Sequence, residues 1–249
     1  MEVSNTRSIF EDLSSREVNG FRVRKRSYVT DESLDLDPIG AIAVTHRGEP
    51  SPPMSLSFCQ TSKSAHILAL ADEGGYVTLI NSRQKFMDFS SHEENAEKAK
   101  VSEWVAHENA IFDLRWIKGD LNLLTASGDQ SIKVWDANEK KCTRTLLGHT
   151  GSIKTISCHP TNQGEFPNFI YSQINILVSG SRDGSFAIWD IRNSKSAHQK
   201  LCVSPTSVIH EAHTCPGRRR RCRKAESMSI TSVLYLKDEV SVATAGAVD

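Results

Sequence analysis

Apolar and polar residues alternate along much of this chain with a period of two rather than 3.6, the mark of strands that bury one face. From Ser51 onward the runs MSLSFCQ (Met54–Gln60) and HILALADEGGYVTLIN (His66–Asn81) show it. Glu73-Gly74-Gly75 supplies the turn of a hairpin in the second run. The most regular stretch is Glu103–Asp136, EWVAHENAIFDLRWIKGDLNLLTASGDQSIKVWD. It holds Ala106-His107, two alternating runs, a tight polar turn at Ser127-Gly128-Asp129 and a closing Trp135-Asp136. Residues 85–102 are polar and charged, and read as an outer edge strand with a long connection. Residues 1–50 sustain no period. They mix a basic cluster (Arg22, Arg24, Lys25, Arg26) and acidic residues with turn formers, and are expected to be a disordered or loosely ordered leader. The four-charge basic cluster reads as solvated, with nuclear import as the alternative.

The order of the central stretch returns. LGHTGSIKTISCHP opens at Gly148-His149, and LVSGSRDGSFAIWDIR closes that unit. The two His markers stand about 42 residues apart, inside the ~40–45 of a WD-repeat blade. A degenerate unit precedes them, with Leu79-Ile80-Asn81 in the slot of the terminal Trp-Asp. A fourth opens at Ala212-His213 and runs through SITSVLYLKDEVSVATAGAVD. The fold class expected is all-β: an incomplete WD-repeat β-propeller of about three and a half blades out of seven, over 51–249. The blades fall at about 51–102, 103–146, 147–205 and 206–249. Asp249 would be a turn Asp with no following Trp-Asp, and an unclosed propeller leaves strand edges bare. The chain therefore reads as the front half of a longer protein.

Each blade carries a chemical check on itself. A buried Trp indole has one N–H that needs an acceptor. In the second blade Trp135 is expected to donate to the Thr125 hydroxyl, which bonds His107, whose other ring nitrogen meets Asp129. In the third, Trp189, Ser179, His149 and Asp183 take the same posts. The third blade is about twelve residues longer between His and Trp than the second, the excess falling at GEFPNFIYSQIN, Gly164–Asn175. A longer loop costs little closure entropy, but this one is apolar and aromatic. It reads as a sequence accident, with a partner-binding protrusion as the alternative.

Composition narrows the function. Hydrophobic residues make up 38%, and 30 basic residues balance 30 acidic ones, so any basic site is local. No run approaches the length of a membrane span, and the N-terminus has no signal-peptide core. The 6 Cys show no metal spacing and read as reduced thiols of an intracellular protein. One local basic site exists: Arg218, Arg219, Arg220, Arg221, Arg223 and Lys224 in the loop after His213. Six like charges so close must lie in water. Nuclear import, a phosphate contact and a plain solvated loop all remain open, but no interleaved aromatics support base stacking or sequence-specific nucleic-acid binding. Catalysis finds no support either. The repeated His residues have structural posts, Cys158 sits in an apolar strand, and no phosphate loop, paired carboxylates or cofactor motif occurs.

Glu103–Trp116, the following TASGDQSIKVWD, the basic loop after Ala212-His213 and the terminal AGAVD resemble the denticleless family, and the leader resembles its plant branch. The resemblance covers roughly residues 50–249 and is most specific in the second and third blades. It implies a nuclear, cell-cycle role with no cofactor: a substrate receptor of cullin-4 RING ubiquitin ligases. Such a receptor would hold proteins bound to the replication sliding clamp for ubiquitin transfer. The resemblance also gives DGSFAIWDIR, Asp183–Arg192, a role, since this run is similar to the box by which such receptors engage the ligase's damage-binding adaptor. Asp183, Trp189, Asp190 and Arg192 are its carriers. A strand rises ~3.3 Å per residue, so Arg192 should reach the rim opposite Asp183, where a guanidinium can fork onto a partner. Asp183 and Trp189 read as blade cement, Arg192 as the contact or, alternatively, a cap on its own strand turn. The second blade ends Trp135-Asp136-Ala137-Asn138, without the Arg. A rival reading is a WD-repeat scaffold that binds peptides or chromatin proteins with no ligase link.

Overall fold

The computed structural model describes residues 41–46, 48–59, 64–85, 91–117, 122–160, 176–192, 202–213, 228–236, 238 and 240–247. The Gly164–Asn175 insert, the Arg218–Lys224 cluster, Arg22–Arg26 and Asp249 lie outside the described residues. A two-stranded piece, β1 (Thr45–His46) with β2 (Glu49–Pro50), comes first. The first four-stranded antiparallel sheet holds β3 (Pro53–Phe58), β4 (Ile67–Asp72), β5 (Tyr76–Asn81) and β6 (Lys100–Val105). The second holds β7 (Ile111–Ile117), β8 (Asn122–Ser127), β9 (Ser131–Asp136) and β10 (Lys141–Leu147). The third holds β11 (Ile153–Cys158), β12 (Ile176–Ser181), β13 (Phe186–Asp190) and β15 (Ser207–Ile209). β16 (Ser229–Tyr235) and β17 (Val242–Ala247) form a final hairpin. The inner strands meet in chain order, β3 against β7, β7 against β11 and β11 against β16, as in a propeller.

The repeat and the sheets are out of step by one strand. Trp104 and Val105 pair with Val77 and Tyr76, so the run just before His107 closes the sheet in front of it. The first sheet thus extends past the expected boundary at 102, and the third past 205, because Ser207–Ile209 pairs with β13. A short strand, β14 (Cys202–Val203), pairs parallel to β10 at the outer edge of the second sheet. The chain then crosses to β15, so one segment ties two sheets together, with Val203 buried in the apolar layer between them.

Two features depart from the sequence reading of residues 1–102. First, residues 41–46 are docked rather than part of a loose leader: Val44 O accepts from Ser51 N at 2.9 Å, and Ala43 N donates to His92 O at 3.2 Å. Second, the polar connection contains a helix, α1 (His92–Ala99). Ser91 caps it by accepting from Glu94 N at 3.2 Å, with Glu93 and Glu94 in the first turn and Lys98 in the last. Its inner face is small: Asn95 donates to Ala41 O at 3.2 Å, and Ala99 packs with Leu70, Ile80, Ile42 and Val44.

The core lies between sheets. Leu114, Ile111 and Leu123 of the second sheet pack with Ala69, Ala71 and Val77 of the first. Ile153, Ile156 and Leu177 of the third pack with Leu124, Ala126 and Ile132 of the second. Each fully buried Leu or Ile contributes about 1.5–3 kcal/mol, which makes these layers the main source of stability. Small residues set the spacing where inner strands come closest. A Cβ on Gly180 would stand 2.5 Å from Ile230 Cγ2 and 2.7 Å from Val233 Cγ2, so no side chain fits there.

Candidate functional site

The second blade's polar network is a continuous relay. His107 Nδ1 lies 2.7 Å from Asp129 Oδ2, and Nε2 lies 2.7 Å from Thr125 Oγ1. Trp135 Nε1 donates to the same hydroxyl at 3.1 Å. An ionised Asp129 can only accept, so the ring proton sits on Nδ1. Nε2 then accepts the Thr125 O–H, and the Thr125 oxygen takes the indole proton. Every donor in this buried row has an acceptor, which is what makes such a network rigid. Burial pushes the His107 imidazole below its ordinary pKa and keeps the ring neutral. Burial alone would raise Asp129, but hydrogen bonds from His107 and Ser131 outweigh it and hold the carboxyl at about 2.

The third blade repeats the arrangement with a looser acidic end. His149 Nε2 is 2.7 Å from Ser179 Oγ, and Trp189 Nε1 donates to that oxygen at 2.7 Å. His149 Nδ1 stands 3.4 Å from Asp183 Oδ2 and 3.1 Å from Ser185 Oγ. Asp183 also ties the turn, accepting from Thr150 N at 2.8 Å and Ser185 N at 2.9 Å. Burial opposes ionisation of Asp183, yet the bonds from His149, Ser185 and Thr150 prevail and keep it well below the usual carboxylate range. In the last hairpin His213 Nε2 lies 2.8 Å from Thr244 Oγ1. Thr244 was not singled out in the sequence, although it stands in the same register as Thr125 and Ser179.

The first sheet shows what happens without the relay. Leu70 and Ile80 occupy the registers of Thr125 and Trp135, and Ile42, Val44 and Ala99 pack around them. His46 instead reaches Asp72 at 2.6 Å and stacks on Tyr76 with ring centroids 3.9 Å apart. Donor and acceptor have been removed together and apolar contact put in their place, which leaves no orphaned polar group at those two positions.

At the far end of β13 lies the run expected to meet a partner. Arg192 is exposed, and its guanidinium forks onto its own Asp190, Nε to Oδ1 at 2.9 Å and Nη2 to Oδ2 at 2.7 Å. Arg192 N also donates to Asp190 Oδ1 at 2.9 Å, so the strand-turn cap is present. The Arg192 hydrogen bonds lower the Asp190 pKa. Trp189, grouped with the partner-binding run, is 0% exposed and enclosed by the core, so it cannot itself touch a partner. Asp183 is engaged in the turn described above. In the second blade, Asp136 Oδ1 accepts from Asn138 N and Glu139 N, and Asn138 stands at the position that Arg192 holds in the third.

One buried group had no place in the sequence reading. Asp113, in the middle of β7, accepts from Leu114 N at 2.9 Å and from Ser55 Oγ at 3.3 Å through Oδ1. Its Oδ2 accepts from Ile156 N at 2.9 Å. One carboxylate thus joins the inner strands of three consecutive sheets. Burial raises its pKa, against the pull of Arg115 and the two backbone N–H groups. The signal was an Asp inside the otherwise apolar-alternating run IFDLRW. Burial pushes the thiol of Cys158, in β11, up to about 12, which disfavours the thiolate. Among the described residues no three His, Cys, Asp or Glu side chains converge as a metal ion would require.

Stacked four-stranded sheets bound by Trp–hydroxyl–His–Asp rows define a WD-repeat β-propeller chain. The family model described as WD domain, G-beta repeat matches residues 98–136 and 140–190. Within that class the chain is of the denticleless type. It is 34% identical over 212 residues to the mouse denticleless protein homolog, covering 81% of this chain and 26% of that protein. It is 31% identical over the same length to the human homolog, and 35% identical over 188 residues to the fission-yeast cell division cycle protein cdt2. The chain thus spans about a quarter of the length of the vertebrate relatives, 26% for mouse and human, and 35% of the yeast protein. A chain in a crystal structure of an active polycomb repressive complex 2 in the basal state superposes with a TM-score of 0.54 at 14% identity. That match covers 79% of this chain and 35% of the other, and it speaks for the propeller fold alone.

Proposed function

We propose that this chain is part of a non-catalytic substrate receptor of a cullin-4 RING ubiquitin ligase, acting in the nucleus in cell-cycle control. It recruits replication and cell-cycle proteins, held on the replication sliding clamp, for ubiquitination and degradation. The observation that carries this reading is the Asp190–Arg192 fork. It is a cation at the exposed end of β13, held in a fixed plane by its own carboxylate, in a sequence of denticleless type. A guanidinium has five N–H donors, and orienting its plane in advance lowers the entropy lost when a partner's carboxylate or carbonyls are met. Asp183, Trp189 and the His149 relay keep the strand beneath it rigid. The Arg218–Lys224 cluster serves nuclear import in this reading.

The test is recovery of the cullin-4 damage-binding adaptor on tagged chain, comparing wild type with Arg192→Ala. Loss of an Arg anchor weakens such a contact by ~2 kcal/mol or more. Recovery should therefore fall at least tenfold while circular dichroism is unchanged. Equal recovery by the two forms would remove the ligase role from Arg192. No recovery by either would favour a WD-repeat scaffold that binds peptides or chromatin proteins without a ligase.

A further inference from the structure

The pairing of every inner strand slips at the same place. β3 is bulged between Pro53 and Ser55, β7 between Ile111 and Asp113, β11 between Ile153 and Thr155, and β16 between Ile230 and Ser232. The extra residues are Met54, Phe112, Lys154 and Thr231. A bulged residue has no partner in the ladder, and its side chain is re-aimed out of the strand's alternation. The two interior cases show where it goes. Ile111 and Asp113, on either side of Phe112, are buried, as are Ile153 and Thr155 on either side of Lys154. Phe112 and Lys154 are themselves only half-buried. The Lys154 ammonium stands 3.4 Å from the centre of the Phe112 ring. Side chains of two neighbouring sheets thus leave the interior and meet on a common surface. Both sheets are flanked by other sheets of the chain, the second by the first and third, the third by the second and the last hairpin.

That surface is the rim opposite Arg192. Ile111 pairs with Ser127 and Ile153 with Ser181, just before the turns that hold Asp129 and Asp183, whereas Arg192 follows the far end of β13. Crowding of inner strands accounts for a bulge at each post, but not for a cation set on an aromatic ring at two of them. The ring attracts the ammonium and narrows its rotamers, so less entropy is lost when a carboxylate meets it. An ammonium has three N–H donors, more than one acceptor can use. Arg182, exposed on the turn beside β11 and donating its N–H to Ser152 O at 2.9 Å, adds a second cation. The exposed carboxylate of Glu108, in the loop before β7, offsets one of the two, while Asp129 and Asp183 are engaged in the relays. Met54 continues the row on the Phe112 side and Thr231 on the Lys154 side. The four posts therefore run apolar, aromatic, cationic, hydroxyl, a polarity gradient that gives a bound segment a direction.

We infer that Phe112 and Lys154 recognise an extended peptide segment in which an acidic side chain stands next to an apolar one, the carboxylate meeting Lys154 and the apolar group packing on Phe112. In the ligase reading, on which this last step rests, the segment belongs to the substrate, so adaptor and substrate take opposite rims of the chain.

Arrays of short synthetic peptides carrying Asp or Glu beside Leu, Met or Phe test it, with matched arrays that carry Lys or Ser at the acidic post. The full chain should favour the acidic set, and its signal should fall as salt is raised. Phe112→Ala should weaken retention of that set by about tenfold or more. Lys154→Glu should lose the acidic set and gain the Lys-bearing one, a reversal that a misfolded variant would not produce. No preference for the acidic set in the wild type, or an acidic preference that survives Lys154→Glu, would overturn the inference. Recovery of the cullin-4 adaptor, measured on the same proteins, separates this from the ligase reading. Both variants should recover the adaptor as the wild type does, and its loss from Lys154→Glu would put the adaptor on this rim and overturn the assignment. A wild type that takes acidic peptides but no adaptor would keep the peptide site and remove the substrate role.

Discussion

Replacing Thr125 by Val tests whether the relay holds the second blade as a unit. Valine keeps the shape of threonine and deletes only the hydroxyl. That hydroxyl is the acceptor of the Trp135 indole proton and the partner of His107 Nε2, at 3.1 and 2.7 Å, and all three side chains are buried. Each orphaned buried group costs about 1–3 kcal/mol, so the substitution should destabilise the chain by about 2–5 kcal/mol, against near zero at an exposed site. The relay makes a sharper claim about coupling. Once Trp135→Phe has removed the indole donor, Thr125→Val leaves only His107 without a partner. The double variant should therefore be less damaged than the sum of the singles, by about 1–2 kcal/mol. Urea unfolding followed by circular dichroism, at one fixed protein concentration, measures all four corners of this cycle. Strict additivity would refute the relay, as would a Thr125→Val loss below about 0.5 kcal/mol, the scale of surface substitutions. The first sheet already shows the limiting case, with Leu70 and Ile80 in place of both partners.

Acid should loosen the second and third blades. Asp129, held at about 2, and Asp183, held lower still, contribute stability that is present above the ordinary carboxylate value of 3.8 and is lost as pH falls through their folded values. His107, depressed by burial, adds a loss in the same direction that begins as pH drops below 6.5, because only the unfolded chain gains the proton there. Asp113 has the opposite sign, since its raised pKa favours the folded state below 3.8 and that contribution fades as pH rises. A thermal midpoint that rose between pH 6 and pH 3 would contradict this balance. Asp113→Asn must turn an amide NH2 toward either Ile156 N–H or Leu114 N–H, so at pH 7 it should cost about 1–3 kcal/mol; an unchanged thermal midpoint would show that the three-sheet clamp is not needed. Ser91→Ala removes the cap of α1 and should cost about 1 kcal/mol locally, read as faster hydrogen exchange at Glu94 and Asn95 with little change at β8.

What the sequence made legible was whatever has a fixed period or a fixed chemical demand. His107, Thr125, Asp129 and Trp135 could be paired from the sequence, because a buried indole proton needs an acceptor and the WD-repeat blade pattern gives that post to a Ser or Thr hydroxyl. The same demand located His149, Ser179 and Trp189. Helix α1 escaped because its sequence, HEENAEKA, buries only Asn95 and Ala99 and so shows no apolar stripe. Its visible sign was the Ser-x-x-Glu start at Ser91–Glu94, where Ser91 caps the helix. Asp113 escaped for the converse reason: in a strand of period two, a lone carboxylate cannot be assigned a partner until neighbouring sheets are stacked. Three backbone segments distant in sequence, at Ser55, Leu114 and Ile156, meet at that carboxylate. Leu56 lies between these cases: it reads as an ordinary strand residue, and only strand pairing shows that it shares its register with Leu114, Ile156 and Val233, which are buried between sheets while Leu56 is exposed. A single alternating run can therefore say which residues seek cover, but the repeat and its pairing are needed to say what must cover them.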